Sequence, residues 1–367
     1  MSHIVIDARQ YSSSTGRYIN RLIHYLEQVD TTNDYTILLK PTDMDKYQPA
    51  NPRFTKLASP YKEFTFAEQL GFAVQLYRLK ADLVHFGITQ QPVLYLRPKV
   101  TTIHDLTTAR FTNPDKQALV FWVKQQVYKA VIVWVARTSR QVLVPTDYVR
   151  QDVLDFTHMS PNRITTTLES ADAITEAAEP LPAVAGKRYI MYIGRPTPHK
   201  NLERLIEAFK SLRGQHPDLH LVLAGKLDNN YRRIQQKTEA EQIANIIYTD
   251  FLTEGQLRWL YQNCSAYVFP SLSEGFGLPG LEAMLHGAPV VSSNATCLPE
   301  VYGDAAHYFD PLDTVSMADA INEVLTDAEL RARLIAAGHM QAALYSWRRM
   351  AEQTVAVYSR ALGGDRG

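Results

Sequence analysis

The chain has 367 residues, of which 46% are apolar and 21% charged, and its 38 Lys and Arg balance 38 Asp and Glu. That composition excludes a disordered or membrane-spanning chain, the length argues for two domains, and the neutral balance argues against nucleic acid as a partner. Cys264 and Cys297 have no metal-ligand spacing and read as free thiols of a reducing compartment, and the N-terminus enters a strand with no basic and apolar leader, so a cytoplasmic protein is expected.

In chain order, β-branched runs at 4–6, 35–39, 83–86, 100–103 and 141–145 predict strands, and amphipathic stretches at 17–29, 64–79 and 117–136 predict helices, with another starting at Thr146. That alternation is the pattern of a parallel α/β sheet. Ser12 to Tyr18 follows the first strand and carries Gly16 at the head of a helix, a weak sign of a phosphate-facing loop. His104 and Asp105 end another strand, where a histidine reaches toward a cleft more readily than a core histidine does. His85 and His199 read as structural. The stretch 118–136 is rich in Val and Trp but is interrupted by Lys124, Gln125, Gln126 and Lys129, which a spanning helix would not tolerate cheaply. The favoured reading is a largely buried domain helix. The sharper alternative is a peripheral membrane contact, with Phe121, Trp122 and Trp134 entering the interface beside Lys116, Lys124 and Lys129.

Residues 173–187, rich in Ala, Glu and Pro and without apolar period, read as a linker. The division expected is 1–178 for a first domain, 179–188 for the linker, 189–345 for a second domain and 346–367 for a terminal helix with Ser346 as N-cap. The second half predicts strands at 189–193, 219–224, 246–249 and 266–269, and helices at 202–212, from Asn229, and at 253–263. Two loops follow strands there. In the first, Arg195 and Lys200 stand ahead of a helix read as capped by Asn201, and a planar fork beside a compact charge suits a diphosphate. In the second, Glu274-Gly275-Phe276-Gly277-Leu278-Pro279 opens a helix of about two turns that Gly287 ends, with Pro279 suited to its first position and Glu282 near its start. Glycines and free N–H groups make that loop an anion cradle, and its two carboxylates suit sugar hydroxyls.

The segment from Ser271 to Ser292 resembles the signature of retaining glycosyltransferases of family 4, with Glu274 and Glu282 matching the family's Glu-x7-Glu pair; Pro299-Glu300-Val301, Gly303-Asp304-Ala305-Ala306 and Asp310-Pro311 extend the likeness. The look is closest to bacterial mannosyltransferases of surface polysaccharides. The resemblance implies an α/β GT-B fold: two Rossmann-like domains facing each other across a cleft, the C-terminal helix crossing back to the N-terminal domain. It implies transfer of a hexose, mannose first, from a nucleotide diphosphate sugar such as GDP-mannose to a glycan or lipid-linked glycan hydroxyl, with retention and without metal or other cofactor. His104, Arg195, Lys200 and Glu274 would be catalytic. Gly16, Arg195, Lys200, Glu274, Gly275, Phe276, Gly277, Leu278 and Glu282 would bind donor, Glu282 at the ribose and Glu274 at the sugar hydroxyls. The work would be done in the cytoplasm, at the inner face of the membrane if the lipid-facing alternative holds.

Three departures stand out. One glycine precedes Arg17-Tyr18 where the family often has two, Thr167-Leu168-Glu169-Ser170 replaces a Pro-Leu-Gly-like turn, and Asp250 stands where glycine is frequent. Asp43-Met44-Asp45 spells the metal motif of GT-A enzymes but lies in a polar loop and is discounted. An epimerase or a phosphorylase on the same fold is the runner-up reading, and a non-catalytic nucleotide-sugar-binding protein the third.

Overall fold

The computed structural model describes residues 1–13, 16–111 and 118–363. The chain forms two compact units. One holds Met1–Arg110, the chain from the helix Ala118–Thr138 to Glu169, and the terminal helix from Ser346; the other holds Ser170–Tyr345.

The sheet of the first unit has the strands β1 (His3–Asp7), β2 (Asp34–Leu39), β3 (Phe54–Ala58), β4 (Leu83–Phe86), β5 (Lys99–Thr102), β6 (Gln141–Val144) and β7 (Ile164–Thr166), in the order β3-β2-β1-β4-β5-β6-β7. Every pairing is parallel. The central strands β4, β5 and β6 are buried along their whole length, as expected of strands covered on both faces. The terminal helix Trp347–Gly363 belongs to this unit: the Tyr358 hydroxyl lies 2.6 Å from His85 Nδ1 and Arg140 donates to the Ala361 carbonyl at 2.6 Å. Ser346 caps that helix through the Arg349 amide.

The second sheet has β8 (Arg188–Ile193), β9 (Leu219–Ala224), β10 (Ile246–Tyr248), β11 (Ala266–Phe269), β12 (Val290–Ser293) and β13 (Ala306–Phe309), ordered β10-β9-β8-β11-β12-β13 and again all parallel. Strand order reverses between β1 and β4 in one sheet and between β8 and β11 in the other, and ligands of open α/β sheets bind beyond the carboxyl ends at such points.

The structure corrects two expectations. The predicted linker 179–188 is part of the second unit: Val184 is wholly buried, the Glu179 amide donates to the Gly255 carbonyl at 3.0 Å, and Arg258 donates to the Glu176 carbonyl at 2.8 Å. Chain polarity there comes from turns, and packing onto the helix Glu254–Asn263 replaces the missing periodicity. The helix Ala118–Thr138, expected to be largely buried, exposes Trp122, Val123, Val127 and Trp134.

Candidate functional site

Because β8 pairs with β11, the loops that leave their carboxyl ends are neighbours. The Leu272 amide donates to the His199 carbonyl at 2.7 Å, which fastens one loop to the other. Asn201 strengthens the junction. Its amide donates to the carbonyls of Pro270 at 3.0 Å and Pro311 at 2.7 Å, and its backbone sits in the left-handed region at φ 60°. The side chain therefore clamps three loops and makes no capping hydrogen bond to the helix Leu202–Leu212.

Lys200 Nζ lies 2.6 Å from Glu274 Oε1, with side-chain exposures of 19% and 13%. The ammonium also stands 5.6 Å from the centre of the Phe269 ring. Arg195, in the same loop as Lys200, is exposed, and its guanidinium has no partner among the described residues. One loop thus presents a free cation and a cation held by a carboxylate.

The helix Leu278–Leu285 starts from Gly277, whose φ of 87° favours glycine, and Pro279 is its second residue. The Tyr302 hydroxyl fixes the turn by donating to the Gly277 carbonyl at 2.5 Å. The same side chain explains Gly280, since a Cβ there would stand 2.2 Å from the hydroxyl oxygen and 2.3 Å from the ring carbon Cζ. Gly275 and Gly277 are buried in the loop, and Phe276, 4% exposed, packs edge-on against Tyr345 at 5.4 Å. Phe276 therefore offers a ligand its backbone. Glu282, 7% exposed, accepts a hydrogen bond from the Tyr261 hydroxyl at 3.4 Å. Tyr261 stacks on His286, whose Nε2 accepts from the Ile174 amide at 3.1 Å; burial, then the charges of Arg258 and His339, hold that imidazole below its ordinary pKa. The hydroxyls of Tyr192 and Ser271, on the same two strand-end segments, are buried without a hydrogen-bond partner among the described residues, which leaves polar capacity at this edge. Asp250 sits at φ 57° and accepts from the Leu227 amide at 2.9 Å, a conformation that also suits glycine.

In the first unit His104 follows β5 and is held at both ring nitrogens. Nε2 lies 2.9 Å from the Gly87 carbonyl and Nδ1 lies 3.1 Å from Glu169 Oε1, with Tyr18 edge-on at 4.7 Å. A carbonyl and a carboxylate only accept, so the arrangement favours a ring protonated at both nitrogens. Burial opposes that charge, but the hydrogen bond and charge of Glu169, the Gly87 carbonyl and Asp105 outweigh it and raise the His104 pKa. Sequence reasoning marked the segment of Glu169 only as a departure from its relatives. Asp105 accepts from the Thr107 amide at 2.7 Å and so starts a short helical turn. Gly16 has a packing reason, since a Cβ would stand 2.3 Å from the carbonyl oxygens of Gln10 and Tyr11; Ser14 and Thr15 of that loop lie outside the described residues. His85 is structural: Nε2 meets the Thr102 hydroxyl at 2.9 Å, and burial, then the charge of His104, pushes its pKa down to about 3. Asp43 is buried and paired with Lys46 at 2.9 Å.

Comparison with known proteins adds a lineage. The family described as "Glycosyl transferases group 1" matches residues 174–341. The chain is 32% identical over 374 aligned residues to the "O-antigen chain mannosyltransferase B" of Escherichia coli, covering 94% of this chain and 95% of that one. It is 30% identical to the "MMP alpha-(1->4)-mannosyltransferase" of Mycolicibacterium hassiacum, over 72% of this chain and 66% of that one. Among solved structures, the sucrose-phosphate synthase of Thermosynechococcus elongatus shares the fold, with a TM-score of 0.78, 17% identity and full coverage of both chains.

Proposed function

From the premise that this chain belongs to the group 1 glycosyl transferases and has the GT-B fold, we propose that it moves a mannosyl unit from a nucleoside diphosphate sugar to a hydroxyl of a glycan or lipid-linked glycan. The observation that carries the reading is the convergence, at the ends of β8 and β11, of Arg195, the Lys200–Glu274 pair and the glycine turn that opens the helix Leu278–Leu285. The likeness to a mannosyltransferase along almost the whole chain supports mannose, and GDP-mannose is the first donor to test.

Without donor, Lys200 and Glu274 neutralise each other. Donor would divide the pair: a phosphate oxygen takes the ammonium, and hydroxyls of the sugar donate to the carboxylate. Arg195 adds its fork to the diphosphate, the amides around Gly277 and Leu278 contribute partial positive charge, and Glu282 accepts from the ribose. In our reading the acceptor oxygen attacks the anomeric carbon on the face that the diphosphate leaves. The bond from that carbon to the phosphate oxygen breaks, the new carbon–oxygen bond forms with retention, and the acceptor's proton passes to the departing phosphate. Arg195 and Lys200 then stabilise charge that grows on the leaving group, a role that needs neither a protein nucleophile nor a metal. In our reading the reaction runs in the cytoplasm, and at the inner face of the membrane where the acceptor is lipid-linked.

The test is a thermal-shift and hydrolysis screen of GDP-mannose, UDP-glucose, UDP-N-acetylglucosamine, UDP-galactose and dTDP-sugars, with GDP and UDP alone as controls. A ligand of the folded state raises the melting temperature by mass action. GDP-mannose and GDP should stabilise the wild type but neither Glu282→Ala nor Arg195→Ala. If no nucleotide stabilises the wild type, the donor assignment fails.

A further inference from the structure

Half of the large apolar side chains exposed among the described residues lie on three joined elements of the first unit. The helix Ala118–Thr138 contributes an outward stripe, Val123, Val127, Ala130 and Trp134, spaced so that all four share one face. Its opposite face buries Ile132, Val135 and Ala136, so the helix is apolar on both sides. The helical stretch after Thr65 repeats the pattern, with Phe66 90%, Leu70 63% and Val74 47% exposed, and Arg78 one turn further. Leu94 and Leu96 protrude from the loop between the two.

Hydrogen bonds join the three elements. Gln69 receives the Val93 amide at 2.9 Å, the Tyr77 hydroxyl donates to the Leu94 carbonyl at 2.9 Å, and the Trp134 indole donates to the Val93 carbonyl at 3.0 Å. Within the described residues of these stretches the exposed charges have one sign, and an exposed acid, Asp82, comes two residues after Lys80 and accepts from the His3 amide at 2.8 Å. Lys62, Arg78, Lys80, Arg97 and Lys124 are exposed and Lys129 is half-buried, whereas the acids within the same stretches, Glu63 and Glu68, are buried. Single exposed apolar residues are ordinary on a protein surface; a continuous set rimmed by cations is not.

We infer that this face of the first unit is a docking surface for an anionic lipid bilayer, the apolar stripes entering the headgroup boundary and the lysines and arginines meeting lipid phosphates. Among the described residues no helix is long and apolar enough to cross a membrane, so the contact is peripheral. Lys116, the third lysine of the sequence-level patch, lies outside the described residues. The inference deepens the membrane location proposed above and rests on it, but is independent of the donor. Combined apolar and electrostatic attachment also fits a reversible contact that weakens with salt.

The experiment is co-sedimentation of the full chain with phosphatidylglycerol-containing vesicles and with pure phosphatidylcholine vesicles, read beside tryptophan emission. Binding to the anionic vesicles is expected, with a blue shift from Trp122 and Trp134, and loss of at least tenfold in affinity in 0.5 M salt, in Phe66→Glu/Val127→Glu or in Lys124→Glu. Phe66 and Val127 are exposed, so folding and donor hydrolysis should persist in the double variant. Absence of vesicle binding by the wild type overturns the inference, as does binding that the substitutions leave intact. A concentration-dependent dimer that the same substitutions abolish would assign the face to a second copy and equally overturn it. Binding through these residues by a chain that hydrolyses no nucleotide sugar would sustain the surface while sinking the donor assignment.

Discussion

The two sheets end in different ways. At the ends of β8 and β11 the second unit leaves chemistry available: Arg195 has no partner among the described residues, and the Lys200–Glu274 pair is partly open to solvent. At the end of β5 the first unit commits its histidine to the protein, since both ring nitrogens of His104 face acceptors, the Gly87 carbonyl and the Glu169 carboxylate. A strand end alone therefore does not make a reactive group. What differs is whether neighbouring acceptors satisfy the side chain before a ligand arrives, and in the second unit the proposed donor can divide the pair, its phosphate taking the Lys200 ammonium and its hydroxyls the Glu274 carboxylate.

The sharpest way to break this contrast is Lys200→Ala, which removes a charge from the leaving phosphate and leaves Glu274 uncompensated beside it. Turnover should fall by about 10²–10³-fold, the magnitude typical of losing one electrostatic stabiliser, and Lys200→Arg should recover part of it. Unchanged turnover in steady-state assays would remove Lys200 from the chemistry. Next in size is Gly280→Ala. The added methyl meets the Tyr302 hydroxyl, so the helix Leu278–Leu285 must shift at a cost of about 1–3 kcal/mol, measurable by urea unfolding. In a Tyr302→Leu background the cost should shrink, whereas Tyr302→Phe should relieve little of it because the ring carbon Cζ would itself stand 2.3 Å from the methyl; a cost unchanged by Tyr302→Leu would mean that the ring is not what excludes a side chain there.

The smallest effect tests the first unit. In Glu169→Gln the His104 pKa should fall from its raised position toward or below the ordinary value of about 6.5, followed by NMR titration of the ring protons. Because the folded pKa is raised, the stability that His104 contributes is complete below the unfolded value and is lost as pH rises through the folded one. The variant should lose most of that pH dependence. A His104 titration unmoved by the substitution would detach Glu169 from it.

Local chemistry made much of this legible. Thr253 and Gln256 form the reciprocal capping box at the head of the helix Glu254–Asn263, Asp228 caps the next helix upstream, and the glycine loop stands where its residues place it. Edge strands β3, β7 and β13 escaped because polar residues break their sequences and they carry no continuous apolar run, unlike the likewise half-exposed edge strand β10 with its Ile246-Ile247-Tyr248. Asn201 misled because its type suits a cap, while its partners, the carbonyls of Pro270 and Pro311, come from distant loops. Glu169 was illegible for the same reason, being 65 residues from His104. The outward stripe of the helix Ala118–Thr138 was obscured by a pattern that is apolar all round, from which sequence alone cannot choose the solvent side.

The join between His85 and Tyr358 spans 273 residues of chain. During synthesis the first sheet is made well before the helix that covers His85. Residues 170–345 are contiguous and can close on their own before that helix arrives. The first unit thus waits, with its sheet made and one flank uncovered, until the helix from Ser346 follows, and a chain truncated ahead of Ser346 would leave that flank bare.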